Sequence, residues 1–152
     1  MKKIMMMLLT AMLCAGAFSQ WYCYDDKGDK GTSTIKLEEG SDGSATMSGA
    51  VTTAFKYGYC GMGKAIDAAA YQTANGIRIV VKGDGKLYNV RVETSDRKDY
   101  CYHEFTFKAD SKVTTYEIPY SKLFQEEWGK QMKFDPSKIT AISFQTIGQP
   151  IT

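Results

Sequence analysis

The chain is poor in the residues that build metal centres and hydrolytic triads. It has a single histidine, His103, and four cysteines among 152 residues. Cys14, Cys23, Cys60 and Cys101 lie far apart, with none of the short Cys/His spacings of a zinc site. No serine sits in a nucleophile-elbow sequence. The Gly83-Asp84-Gly85 turn lacks the Lys-Ser/Thr pair of a phosphate loop. Glycoside hydrolysis needs two facing carboxylates, and the spacing of acids nominates no pair. Together these absences predict a protein that is not an enzyme. There is also no basic run or stripe of the kind that follows a nucleic-acid backbone. The one sustained apolar run, Ile4 to Leu13, is too short to span a bilayer.

That run has another use. Lys2 and Lys3 precede it, and Ala15-Gly16-Ala17 comes after it as a small-x-small cleavage site, with Ser19 a second candidate. This is the layout of a secretory signal peptide. Residues 1–19 are therefore expected to be a leader and 20–152 the working domain. Export places the domain outside the cell, in the periplasm or at the cell surface. Leu13 before Cys14 argues against lipidation. Removing Lys2 and Lys3 takes Lys plus Arg from 19 to 17, equal to the 17 Asp plus Glu, so the domain is formally neutral. Three cysteines remain. Export permits a disulfide, but an odd count leaves one thiol over. One bridge and three separate thiols both stay open.

What the chain does have is period-two alternation. Gly76 to Val92 reads as two strands around a Gly-rich turn. Ile77, Ile79 and Val81 alternate with Arg78 and Val80, and Tyr88, Val90 and Val92 alternate with Asn89 and Arg91. The turn Lys82 to Lys86 suits a hairpin. Trp21–Tyr24, Thr32–Leu37, Tyr100–Lys108, Val113–Ile118 and Ile139–Ile147 read as further strands. Ala45–Tyr59 reads as extended chain. Gly58, Gly61 and Gly63 interrupt the chain at its end, which suggests a bulge or a close backbone approach. Asp67 to Tyr71 suits one capped helical turn, and Ser121 to Phe124 another. Many short strands, turns rich in Gly, Asp and Ser, and no long helical period predict an all-β, two-sheet antiparallel sandwich.

Several pieces in this order carry a family likeness. They are Tyr24-Asp25-Asp26 with Gly31-Thr32-Ser33-Thr34, the Gly58–Gly63 aromatic-glycine segment, and Asp67…Tyr71 before Gly76-Ile77. Val81-Lys82-Gly83-Asp84-Gly85-Lys86, Ile118-Pro119-Tyr120-Ser121…Phe124-Gln125…Trp128-Gly129 and Phe144-Gln145 complete the series. The chain resembles the family 11 carbohydrate-binding modules and the related domain of the 30 kDa complex I intermediate-associated protein. The resemblance implies a galactose-binding-like jelly roll whose concave sheet binds a β-glucan chain without catalysis. Tyrosines, arginine, aspartate and histidine bind sugar in that family. The assembly-protein relative implies an alternative, a protein-binding scaffold. Related jelly rolls commonly hold a structural calcium ion. Asp25 and Asp26 sit in the right part of the chain for it, with no matching acid on the last strand. No other cofactor is expected, and a monomer is expected.

A sugar site wants flat aromatics for C–H faces and fixed polar groups for the hydroxyl rim. Strand parity nominates Arg78, Asn89 and Arg91 on the outward face of the hairpin. It points Tyr100, Tyr102 and Glu104 outward and Cys101 and His103 inward. A bulge would reverse the latter, so His103 stays a candidate binder. Tyr57 and Tyr59 share parity with Phe55, but the glycines around them favour a twist that exposes them. Gln145, opposite Phe144 in parity, completes the set. Arg78 and Arg91 have a second reading, as partners of Glu93 or Glu104 across strands.

Overall fold

The computed structural model describes residues 20–146, and residues 6–8 as backbone. Ten strands run β1 Met6–Leu8, β2 Trp21–Asp25, β3 Thr34–Glu39, β4 Ala45–Ala50 and β5 Cys60–Ala65, then β6 Gly76–Val81, β7 Leu87–Thr94, β8 His103–Lys108, β9 Thr114–Pro119 and β10 Ile139–Thr146. They form two five-stranded antiparallel sheets, in the orders β3-β4-β1-β6-β9 and β2-β5-β10-β7-β8. This is the all-β sandwich that the alternation predicts. Among the described residues the only helical pieces are short 3-10 turns, and no helix is long and apolar enough to cross a membrane.

The core lies between the sheets. Met47, Ile77, Ile79, Val81 and Ile118 come from the first sheet, and Trp21, Met62, Tyr88, Val90, Val92, Phe107, Ile142 and Phe144 from the second. Each such side chain, fully buried, contributes about 1.5–3 kcal/mol. Asp67 caps the Ala68–Ala70 turn by accepting from Ala69 N, as its position suggests. Cys23, Cys60 and Cys101 are free thiols. The cleavage site and Ile147 lie outside the described residues.

Gly76 to Val92 is not a hairpin. The two strands have the expected bounds and inward residues, but β6 pairs with β1 and β9 while β7 pairs with β10 and β8. The turn between them crosses from one sheet to the other. It is held by the chain beyond β8: Gly83 N donates to Asp110 O, Gly85 N to Ala109 O, and Ala109 N to Lys86 O. Gly83 is required because a Cβ there would lie 1.8 Å from Ala109 O, and Gly85 because its φ is +81°. Alternation cannot distinguish the two arrangements. Strands that face each other across a core bury the same parity as strands side by side in one sheet. The consequence is functional, because it puts Arg78 and Arg91 on opposite outer faces of the sandwich.

Strand β1 falls within the segment expected to be a leader. Met6 and Met7 are opposite Thr46 and Ala45 of β4, and Met7 and Leu8 are opposite Val81 and Val80 of β6. A chain beginning at Gln20 lacks this strand, so β4 and β6 lose ladder partners there. Backbone groups without partners are costly unless water reaches them. Faster amide exchange around Ala45–Thr46 and Val80–Val81 is therefore expected in that chain than in the full one. Equal exchange would show that β4 and β6 close on each other.

Candidate functional site: the outer face of the second sheet

Register assembles the outer face of the second sheet in two rows. One runs Tyr22–Gly63–Ser143–Arg91–Glu104 and the other Tyr24–Gly61–Gln145–Asn89–Thr106. Each row therefore carries a tyrosine on edge strand β2, a glycine on β5, and polar side chains on the next three strands.

The glycines let the tyrosines lie across the sheet. A Cβ on Gly61 would stand 2.3 Å from Tyr24 Cζ, and one on Gly63 would stand 2.5 Å from the Tyr22 hydroxyl oxygen. The rings thus cover the bare backbone of β5. Tyr22 and Tyr24 have ring centroids 6.3 Å apart, and Tyr59 continues the row 6.2 Å beyond Tyr24. Tyr59 is fixed by donating to Asp29 Oδ2 at 2.9 Å. Burial pushes the Tyr22 and Tyr59 phenols up to about 12, and Tyr24 higher still. All three hydroxyls are donors at neutral pH.

The polar floor is fully connected. Arg91 donates through Nε to Glu104 Oε2 at 2.9 Å and through Nη1 to Gln145 Oε1 at 2.5 Å. Asn89 donates to Glu104 Oε1 at 2.9 Å and accepts from Thr106 Oγ1 at 2.7 Å. Ser143 donates to Glu93 Oε1 at 2.9 Å. Glu104 is buried (2% exposed), and burial holds its carboxyl above the ordinary glutamate value while Arg91 pulls it back. Beyond the floor, the Tyr102 ring has two guanidinium groups over it. Arg91 Cζ lies 5.1 Å and Arg97 Cζ 5.2 Å from its ring centroid. Such cation–π contacts attract the guanidinium groups to the half-buried ring.

Of the sequence-nominated residues, this face gathers Asn89, Arg91 and Gln145, with Tyr59 and Tyr102 at its two ends. Tyr100 is in the loop before β8, 74% exposed, with Arg97 over its ring. Tyr57 stands out from the loop before β5, edge-on to Phe55 and with the Lys56 ammonium over its ring. Arg78 is on the other sheet, paired with Glu117 across β6 and β9. Both partners are exposed, so that pair is worth about 0–1 kcal/mol. His103 points into the sandwich as strict alternation predicts. Its Nε2 lies 3.0 Å from Met132 O and its ring stands edge-on to Phe134 at 5.1 Å, so it anchors the loop before β10.

Tyr22, Tyr24, Glu93 and Ser143 were not nominated. A signal for the tyrosines exists, since Tyr-x-Tyr at period two meets Gly-x-Gly at period two. Using it requires knowing that β2 pairs with β5.

A calcium ion does not fit Asp25 and Asp26. Asp26 is buried, and its oxygens accept from Ser33 N, Ser33 Oγ and Tyr59 N. Asp25 accepts from Lys27 N and Nζ. Both carboxylates are committed to donors from the β2–β3 turn and, for Asp26, also from Tyr59 just before β5. Among the described residues no three His, Cys, Asp or Glu gather in a way that could hold a metal.

Structural comparison finds the same two-sheet jelly roll in carbohydrate-binding modules. The chain is similar to the family 11 carbohydrate-binding module of a cellulosomal cellulase of Clostridium thermocellum, at TM-score 0.57 and 21% identity, covering 86% of this chain and 79% of that one. It is similar to the module of the same family and organism solved with a β-1,3-1,4-mixed-linked tetrasaccharide, at TM-score 0.55 and 21% identity, covering 95% and 87%. The chain belongs to the Complex I intermediate-associated protein 30 (CIA30) family, whose model matches residues 14–150. A stretch of 64 residues is also 36% identical to Endoglucanase 3 of Fibrobacter succinogenes; it spans 42% of this chain and 10% of the endoglucanase.

Proposed function

We propose that this protein is an exported, monomeric, non-catalytic polysaccharide-binding domain that holds a β-glucan chain on the outer face of the second sheet. The observation that carries this reading is the row Tyr59–Tyr24–Tyr22, with Tyr24 over Gly61 and Tyr22 over Gly63, beside the Arg91–Glu104–Gln145 floor. Sugar rings stack their C–H faces on such aromatics, and the fixed floor presents donors and acceptors to the hydroxyl rim. Rigid strands keep the ordering cost of binding low. A neutral ligand suits a face whose central arginine is already neutralised by Glu104. Glu93 and Glu104 are held by Ser143, Arg91 and Asn89, an arrangement suited to positioning and not to proton transfer. The likeness to modules that accompany cellulases, one of them solved with a mixed-linked tetrasaccharide, supports the same class of ligand.

The test is retardation on an affinity gel containing soluble mixed-linked β-glucan, together with pull-down on insoluble cellulose. Retention of the native protein and weakened retention of Tyr24→Ala are expected. Each stacked aromatic is worth about 0.5–1.5 kcal/mol, or roughly two- to twelve-fold in affinity. A protein retained by no glucan would sink the reading. It would favour the protein-binding assembly role that membership of the CIA30 family suggests.

A further inference from the structure

Two aromatics lie outside the two rows of the sheet and have no part in them. Tyr100 is 74% and Trp128 64% exposed, in the loops that precede β8 and β10. Large apolar rings held in water on a small domain mark contact surfaces when they cluster and are held in place.

These two are held. The Asp99 carboxylate accepts from Cys101 N at 2.9 Å and from Lys130 N at 2.8 Å, one donor from each loop. Gln125 Nε2 donates to Cys101 O at 2.8 Å, and the Cys101 thiol donates to Glu126 O at 3.1 Å. Gly129 packs so closely that a Cβ on it would lie 2.0 Å from Cys101 Cβ. Tyr100 and Trp128 are the immediate chain neighbours of Cys101 and Gly129, so they flank one weld between the loops. The Trp128 indole is oriented further by donating from Nε1 to Glu126 Oε2 at 2.9 Å.

The weld is also continuous with the sheet face. The Arg97 guanidinium lies over both Tyr100, at 5.8 Å, and Tyr102, at 5.2 Å, and Arg91 lies over the Tyr102 ring. Arg91 belongs to the polar floor. An unbroken run of aromatic and cationic groups therefore leads from the sheet out to Tyr100, on the loop to which the Trp128 segment is welded.

We propose that Tyr100 and Trp128 form an outer binding position for the same polysaccharide, engaging sugar rings of a chain that extends past the β8 edge of the sheet. This rests on the polysaccharide reading of the sheet face. It makes the protein a reader of long chains, with short oligosaccharides held by the sheet alone. A protein partner on the same rings is the rival occupant, and the test separates the two.

The full chain and its Tyr100→Ala/Trp128→Ala variant are titrated calorimetrically with soluble mixed-linked β-glucan polymer and with a mixed-linked tetrasaccharide, alongside Tyr24→Ala. The double variant is expected to lose about ten-fold in affinity for polymer and to bind tetrasaccharide like the native chain. Tyr24→Ala is expected to weaken both. Trp128→Phe alone keeps a ring without the indole hydrogen bond and is expected to keep most of the polymer affinity. An unchanged thermal transition shows that the weld survives the substitutions. Native-like polymer binding by the double variant, with Tyr24→Ala weakened, overturns the outer position and leaves the sheet site standing. Equal losses for polymer and tetrasaccharide overturn it too, by placing these rings in the inner site. If the native chain binds neither ligand, both readings fall.

Discussion

Arg91→Ala is expected to cost the fold about 3–5 kcal/mol, much more than Glu104→Gln at the other end of the same ion pair. The asymmetry comes from burial. The Glu104 side chain is 3% exposed and that of Arg91 18%. Deleting the guanidinium strands a carboxylate that has only Asn89 left to solvate it. Deleting the carboxylate charge strands a guanidinium that still bonds Gln145, lies over Tyr102 and reaches water. The pH dependence comes from the direction of the Glu104 shift. Burial raises its folded-state value above that of the unfolded chain, and losing Arg91 raises it further. Between the unfolded and folded values the native state binds the proton more tightly. The stability from this group is thus fully present below the unfolded value and is lost as pH rises through the folded one. The gap between the urea midpoints of native and Arg91→Ala proteins should therefore widen as pH rises above the unfolded glutamate value of about 4.3 and close as pH falls to it. A gap that does not change with pH would show that Glu104 is not the stranded group. Glucan retention of Arg91→Ala is informative only where the variant is still folded.

Much of the fold was legible because alternation reports directly on burial. Ile77, Ile79 and Val81, then Tyr88, Val90 and Val92, all face the core as their parity predicts, and strict alternation on β8 turned His103 inward. Parity says nothing about which strand lies beside which. That gap explains the misplacement of Arg78, whose partner proved to be Glu117 on β9. It also explains the missing tyrosines. Gly61 and Gly63 read as a break in a strand, yet β5 is an interior strand whose outer face is covered by rings from β2. The close backbone approach inferred from those glycines is real, but the approaching groups are side chains from a strand far earlier in the chain. Asp26 is a calcium candidate only through the family resemblance, and its surroundings are equally hidden in the sequence. Its three donors come from Ser33 and Tyr59, which only the folded chain brings to it.

Filling both glycine positions should separate function from folding. In Gly61→Ala/Gly63→Ala the new methyl groups would collide with Tyr24 Cζ and the Tyr22 hydroxyl, at 2.3 and 2.5 Å. Both obstacles are far ends of side chains anchored on an edge strand, so the rings can swing outward while the strands stay paired. Alanine also loses less backbone entropy on folding than glycine, by roughly 0.5–1 kcal/mol per site in a strand, which offsets much of the lost ring packing. The thermal midpoint is expected to stay within about 5 °C of native. Glucan affinity is expected to fall by roughly ten- to a hundred-fold, because two stacked aromatics of about 0.5–1.5 kcal/mol each leave the face together. Gly49→Ala supplies the contrast. Its Cβ would lie 1.9 Å from Thr34 O, a backbone atom of the paired strand β3 that cannot swing away. That variant should lose stability in the first sheet and leave the tyrosine row in place. If the double variant keeps its affinity with its rings displaced, the sugar does not rest on Tyr22 and Tyr24. If it unfolds, the glycines serve the fold and not the face. Only loss of affinity with the transition intact would mean that β5 is kept bare to seat the tyrosines.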